Sequence, residues 1–209
     1  MSKAEIITFA IAMLAITNPI GNLAIFASLT GNRSPQEKKK TAFVAGTAII
    51  IILIIVTWTG DLLLRGFGID IASFETAGGL IIALMGISML HAKTSEIHHN
   101  KEEQEDAKSK ESVAVVPIAI PIVAGPGAIT TIIVNTHTFS TIEDKVYISI
   151  VSIGIALILW LAFYFSAPVS RLLGVSGINI VTRIMGIILA SIAFGMMASG
   201  FKALFPGLA

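Results

Sequence analysis

Six runs of roughly 20 apolar residues, separated by stretches that hold nearly all the charge, leave this chain few folds to choose from. They lie at about Ile6 to Thr30, Thr41 to Gly60, Phe67 to Leu90, Val113 to Thr136, Val146 to Val169 and Gly174 to Phe201. An α-helix satisfies its own backbone and needs about 20 residues to cross the hydrocarbon core, so each run is predicted to be a membrane-spanning helix. With 55% hydrophobic and 13% charged residues, the chain is too apolar for a soluble domain of this size unless most of its surface meets lipid. The absence of cysteine excludes a disulfide framework, a thiol nucleophile and a cysteine zinc site. The first run is long and is interrupted by Asn18 and Pro19, so it is expected to stay as a span rather than leave as a signal peptide.

The Lys/Glu-rich segment 91–112 has no apolar periodicity and reads as a solvated cytoplasmic linker between two three-span halves, 1–90 and 113–209. Three is odd, so the second half enters the membrane from the side opposite to the first. Two markers relate the halves: Pro19 aligns with Pro126 at an offset of 107, and Phe74-Glu75-Thr76-Ala77-Gly78 aligns with Thr182-Arg183-Ile184-Met185-Gly186 at 108. The expected fold is therefore all-α and integral to the membrane, with six helices in two inverted three-helix repeats and helices 1 and 4 broken near the midplane. Arg33, Lys38, Lys39, Lys40, Lys93, Lys101, Lys108, Lys110 and Arg171 fall in loops on one side, against Lys3, Arg65, Lys145 and Lys202 on the other. The excess of positive charge on cytoplasmic loops then puts both termini outside, in the periplasm of a bacterial inner-membrane protein. The second and fifth spans hold the longest aliphatic runs, Ala48 to Val56 and Ile153 to Phe163, and are expected to face lipid. Gly78, Gly79, Gly86, Gly186 and Gly195 read mainly as packing positions.

The chemistry concentrates at the two breaks, Asn18-Pro19-Ile20-Gly21-Asn22 and Gly125-Pro126-Gly127-Ala128. Proline lacks an N–H and its ring clashes with the preceding turn, so each helix must stop and restart there. Asn18 and Gly125 stand where N-caps stand, with Pro19 and Pro126 at the first helical position. A restart offers backbone N–H groups and a positive dipole end, and the half-helix before it ends in carbonyls and a negative one. These two features match a carboxylate and an ammonium, so a zwitterion is held with few charged side chains. The immediate neighbours Ala15, Ile16, Thr17, Leu23, Ala24, Thr130 and Thr131 are not aromatic and suit a small neutral solute. Tolerated proline kinks are the plainer reading of either break alone.

Other residues divide between roles. Glu75 and Arg183 occupy equivalent positions in the two halves; an ion pair, a part in gating or coupling, and simple snorkelling to water are all open. Asp61 and Asp70 flank a short outside loop and are expected to be solvated, while Asn135 and Asn179 are weak candidates near span ends. Adjacent His98 and His99 lack spaced partners for a metal. No phosphate-binding Gly-Lys-Ser/Thr loop and no His-Glu-x-x-His is present, and Gly66-Phe67-Gly68-Ile69-Asp70 fits an intramembrane aspartyl protease motif poorly. No catalytic residue, cofactor, metal or nucleic-acid partner is expected, and the chain does not read as an enzyme.

Thr17-Asn18-Pro19-Ile20-Gly21-Asn22, the segment Ile120 to Ile129 and Asn179 to Gly186 together resemble the MarC family of inner-membrane proteins over essentially the whole chain. Several members of that family are classed as transporters of glycine, alanine and similar small neutral amino acids, with six helices in two inverted repeats. The resemblance thus implies a secondary transporter whose substrate sits between Asn18, Pro19, Ile20, Gly21 and Asn22 of one half and Gly125, Pro126, Gly127, Ala128 and Thr130 of the other. Its partners are the substrate, the lipid bilayer and a coupling proton or sodium ion, with a homo-oligomer left open. Glu75 departs from the family pattern, which often has a basic residue there. Export of another small metabolite or a drug, and a non-transporting membrane role, are the alternatives.

Overall fold

The computed structural model describes residues 1–91 and 124–208; most of the linker and the opening of the fourth run, 113–123, lie outside the described residues. The described chain forms α1 (Lys3–Thr17), α2 (Pro19–Leu29), α3 (Pro35–Gly66), α4 (Ile71–Leu90), α5 (Pro126–Thr138), α6 (Ile142–Tyr164), α7 (Ser166–Leu204) and a closing 3-10 turn, Pro206–Leu208. No strand occurs among the described residues. Five stretches are long and apolar enough to cross a membrane: Lys3–Leu29 with α1 and α2 taken together, α3, α4, α6 and α7.

Short polar signals set the helix starts. Ser2 with Glu5, and Ser34 with Glu37, close reciprocal capping boxes; Asp70 accepts from the Ser73 N–H and Thr141 from the Asp144 N–H. Ser34 and Thr141 stand 107 residues apart, the same spacing as Asn18 and Gly125 at the starts of α2 and α5.

Small residues set the packing. A Cβ added at Gly86 would lie 2.8 Å from the Gly186 carbonyl oxygen and 2.9 Å from the Ala190 nitrogen, so two backbones touch there. Gly79 meets Ala193 and Met197, and Gly200 meets Ala72 and Thr76. Numbers rise along α4 as they fall along α7, so the two run antiparallel. The same holds for α3 and α6: Lys39 lies 4.8 Å over the Tyr164 ring, Gly46 packs on Trp160, and the Trp58 indole donates to Ser149 at 3.2 Å. Phe26 of α2 stacks on Phe163 of α6, centroids 4.8 Å apart, inside the bundle.

The second and fifth spans leave most of their apolar surface unburied, as expected, with 39% of the window of α3 and 33% of that of α6 buried, and α7 leaves still more, with 17%. The reason is a stripe on α3 (Ala42, Ala45, Gly46, Ile49, Leu53) that seats α6, whereas α7 turns Leu172, Ile180, Ile187 and Phe194 outward. The fifth span ends at Tyr164 rather than Val169. Val169 belongs to a short stretch, 166–173, set off from the rest of α7 at Gly174, whose φ of 61° is a left-handed conformation that glycine adopts without strain.

A candidate substrate site at two helix breaks

The first break is closed by its own side chains. Asn18 takes a left-handed conformation (φ 36°, ψ 68°) between α1 and α2, which asparagine tolerates better than most residues. Neither α1, with 15 residues, nor α2, with 11, spans alone; Asn18 therefore sits about 22 Å from the start of α1 and about 16 Å from the end of α2, at mid-depth. The Asn18 side-chain oxygen accepts from the Gly21 N–H at 3.1 Å, and the Asn22 amide donates to the Thr17 carbonyl at 2.7 Å. The Thr17 hydroxyl in turn donates to the Met13 carbonyl at 2.8 Å. Thr17, Asn18, Pro19 and Asn22 are buried, and Ile20 and Gly21 are half-buried. A Cβ at Gly21 would fall 2.0 Å from the Asn18 amide nitrogen, so what approaches the backbone there is the Asn18 carboxamide. Because Pro19 has no N–H, the Ala15 carbonyl loses its usual helical donor.

The second break is open. Gly125 is extended (φ −72°, ψ −179°), and among the described residues no side chain caps α5. Ile129 N–H reaches the Gly125 carbonyl at 3.1 Å, but the first-turn N–H groups of Gly127 and Ala128 have neither an intrahelical acceptor nor a side-chain cap. With 13 residues, α5 is about 20 Å long, too short to span, so it starts at mid-depth. The half-helix expected before it lies outside the described residues.

The two breaks meet. A Cβ at Gly127 would lie 3.1 Å from Ile82 Cγ1, 3.3 Å from Ile16 Cγ2 and 3.5 Å from Met85 Sδ, so the first turn of α5 presses on α4 and on the last turn of α1. The carbonyl end of α1 and the amide end of α5 are thereby neighbours, one partially negative and one partially positive. Ala128 and Gly125 are buried and Pro126 is exposed. Thr130 fills the space over Gly78 of α4, its methyl 2.0 Å from where a Cβ would stand.

Glu75 and Arg183 do not meet. Glu75 faces Ser199 across the α4–α7 contact. Arg183 is sixteen residues from Ser199 on the same helix, about 24 Å along it, and is exposed. Asp61, expected to be solvated, is partly exposed and holds His137 at 2.7 Å and Arg65 at 2.9 Å, tying the far end of α5 to α3. Asp70 caps α4 at the Ser73 N–H, 3.0 Å away. Among the described residues no three His, Asp or Glu side chains gather as a metal site, and His98 and His99 lie outside them. The Asp61–His137 contact is partly exposed, so Asp61→Asn is expected to lower Tm in detergent by about 2–4 °C, and His137→Gln by a similar amount. The double variant should lose no more than either single; additive losses in thermal denaturation would show that the two side chains act separately.

The sequence matches the MarC family integral membrane protein profile over residues 3–205. It is 40% identical over 202 residues to a UPF0056 membrane protein of Buchnera aphidicola subsp. Schizaphis graminum, covering 97% of this chain and 94% of that one. It is 36% identical over 200 residues to the UPF0056 membrane protein YhcE of Escherichia coli (strain K12), covering 96% and 93%. With the UPF0056 membrane protein YvbG of Bacillus subtilis (strain 168) the identity is 37% over 204 residues, covering 95% and 94%. No solved structure matches. A multi-pass membrane protein whose length is covered almost entirely by one profile, this chain belongs to the MarC family.

Proposed function

We propose that the protein is a secondary transporter of small neutral amino acids of the glycine and alanine class, in the bacterial inner membrane. The observation that carries this reading is the contact of Ile16 with Gly127, which sets the carbonyl end of α1 beside the uncapped amide end of α5. An ammonium suits the first and a carboxylate the second, and both charges are then met by backbone dipoles in an apolar setting. The aliphatic and threonine side chains around the breaks limit the substrate's own side chain to a small one. Inversion of the two halves is supported by the shared spacing of 107 residues between helix starts and by the antiparallel pairing of α3 with α6 and α4 with α7. A two-fold axis in the membrane plane would set each helix antiparallel to its counterpart. On the orientation proposed, Arg33, Lys38, Lys39, Lys40, Arg171 and Arg183 face the cytoplasm, and both termini lie outside. Transport would proceed by rocking of one set of helices against the other around the breaks.

The test is uptake of labelled glycine and alanine into proteoliposomes, under an imposed proton gradient and then a sodium gradient, beside protein-free liposomes. Saturable uptake is expected, and the gradient that drives it names the coupling ion. Folded protein that moves neither amino acid under either gradient would refute the reading.

A further inference from the structure

The two ends of the bundle are shut by unlike contacts. At the far end of α5, His137 meets Asp61 of α3 at 2.7 Å, and one turn back Ile133 fills the space beside Gly60. At the opposite end the equivalent positions, 107 residues away, are Thr30 and Pro168. Thr30 turns its hydroxyl back to the Phe26 carbonyl at 2.7 Å, and Pro168 offers neither a charge nor a donor. Closure there comes from Phe26 of α2 stacked on Phe163 of α6, both 1% exposed. Water cannot take over the contacts of a sealed aromatic stack. It can hydrate both partners of a polar pair whose side chains are 38% and 23% exposed, which is why such pairs are weak.

Two further features suit the Asp61 contact to repeated breaking. Arg65 binds the second carboxylate oxygen of Asp61 at 2.9 Å, so release of His137 leaves Asp61 paired and sends the imidazole to solvent. The helix that His137 closes is also free to tilt as a unit. With 13 residues, α5 begins at the extended Gly125 and is separated from α6 by Phe139, Ser140 and Thr141, so it is continuous with a helix at neither end. A few such terminal residues are enough to absorb a hinge motion.

We propose that the Asp61–His137 contact is a latch, which when made holds the far end of α5 against α3 and shuts that end over the breaks, and when released lets α5 tilt away. The assignment rests on the transport reading of the breaks and adds to it which end opens more readily and by which contact.

The chain has no cysteine, so Asp61→Cys with His137→Cys carries only the two thiols wanted. In proteoliposomes, bridging them with a two-carbon bis-methanethiosulfonate should bring uptake of labelled alanine down to that of protein-free liposomes, and a reductant should restore it. Each single variant treated alike should keep its uptake. A second readout does not need transport. Thr136, beside His137, is 1% exposed, so a thiol there meets a water-soluble reagent only when this end opens. In detergent well below Tm, adding Asp61→Asn should speed the labelling of Thr136→Cys about two- to fivefold, the range for losing a partly exposed pair. Thr30→Cys, buried at the opposite end, should show no change. Bridged protein that transports as fast as unbridged would overturn the proposal. So would equal acceleration at Thr136→Cys and Thr30→Cys, which would make the pair a plain structural tie, or no acceleration at either. Wild type that moves neither glycine nor alanine refutes the transport reading; acceleration confined to Thr136→Cys would then still establish the opening of this end.

Discussion

Gly86→Leu is expected to abolish the folded bundle, with no monodisperse protein recovered in detergent. At this position the nearest atoms are the carbonyl oxygen of Gly186 and the nitrogen of Ala190, both within 3.0 Å of any added Cβ. Backbone cannot rotate aside as a side chain can, so α4 and α7 would have to separate, losing the contacts at Gly79 and Gly200 as well. One surplus methylene in a packed core costs about 1–3 kcal/mol, and a leucine here forces four carbons between two backbones. Gly86→Ala should fold with a lowered Tm. Gly195→Ala supplies the contrast: nothing lies within 4 Å of its Cβ position, so it should gain up to about 1 kcal/mol from helix propensity. A Gly86→Leu protein with the wild-type Tm and elution profile would refute the close approach of the two helices.

The second large effect belongs to Asn18, which does two things at once. Its side chain caps α2 at the Gly21 N–H, and its backbone is left-handed. Alanine loses the cap, worth about 1 kcal/mol, and places a β-carbon in a conformation that costs about 1–2 kcal/mol more. Glycine removes the second penalty and keeps the first. The order of Tm should therefore be wild type, then Asn18→Gly, then Asn18→Ala, with Asn18→Leu lowest because a branched chain replaces a hydrogen-bonded one in a buried site. Equal stability of the glycine and alanine variants would mean that the left-handed geometry is absent in solution.

The breaks were legible because proline cannot donate; the Ser-x-x-Glu boxes at the starts of α1 and α3 are an equally local signal, which apolar runs beginning at Ile6 and Thr41 passed over. Both are statements about neighbours in sequence. What else escaped reading depends on pairing at a distance. Asp61 and His137 are 76 residues apart, and nothing near either marks the other. Glu75 and Arg183 align between the halves, yet alignment fixes only equivalence; their separation depends on how far each lies from the midpoint of the antiparallel α4–α7 contact. The end of α6 was missed because apolar character continues past Tyr164, and the turn at Phe165 contains neither glycine nor proline. That α7 shows still more surface than α3 or α6 was not readable from aliphatic content, because it turns on where small residues seat a partner. At Gly21 the Asn18 carboxamide fills the space beside the backbone.

The self-closure of the first break has a mechanical consequence. Asn18, Asn22 and Thr17 complete one another within a few residues, so the hinge between α1 and α2 takes its hydrogen bonds along wherever it goes. It can exchange neighbours while these bonds stay made, with the Ala15 carbonyl left to find a donor elsewhere. The hinge at Gly125 is unlike it: its donors are completed only from outside the helix. On the transport reading proposed above, the hinge at Gly125 would be completed by cargo, which would make the loaded form the easier one to swing through an apolar interior.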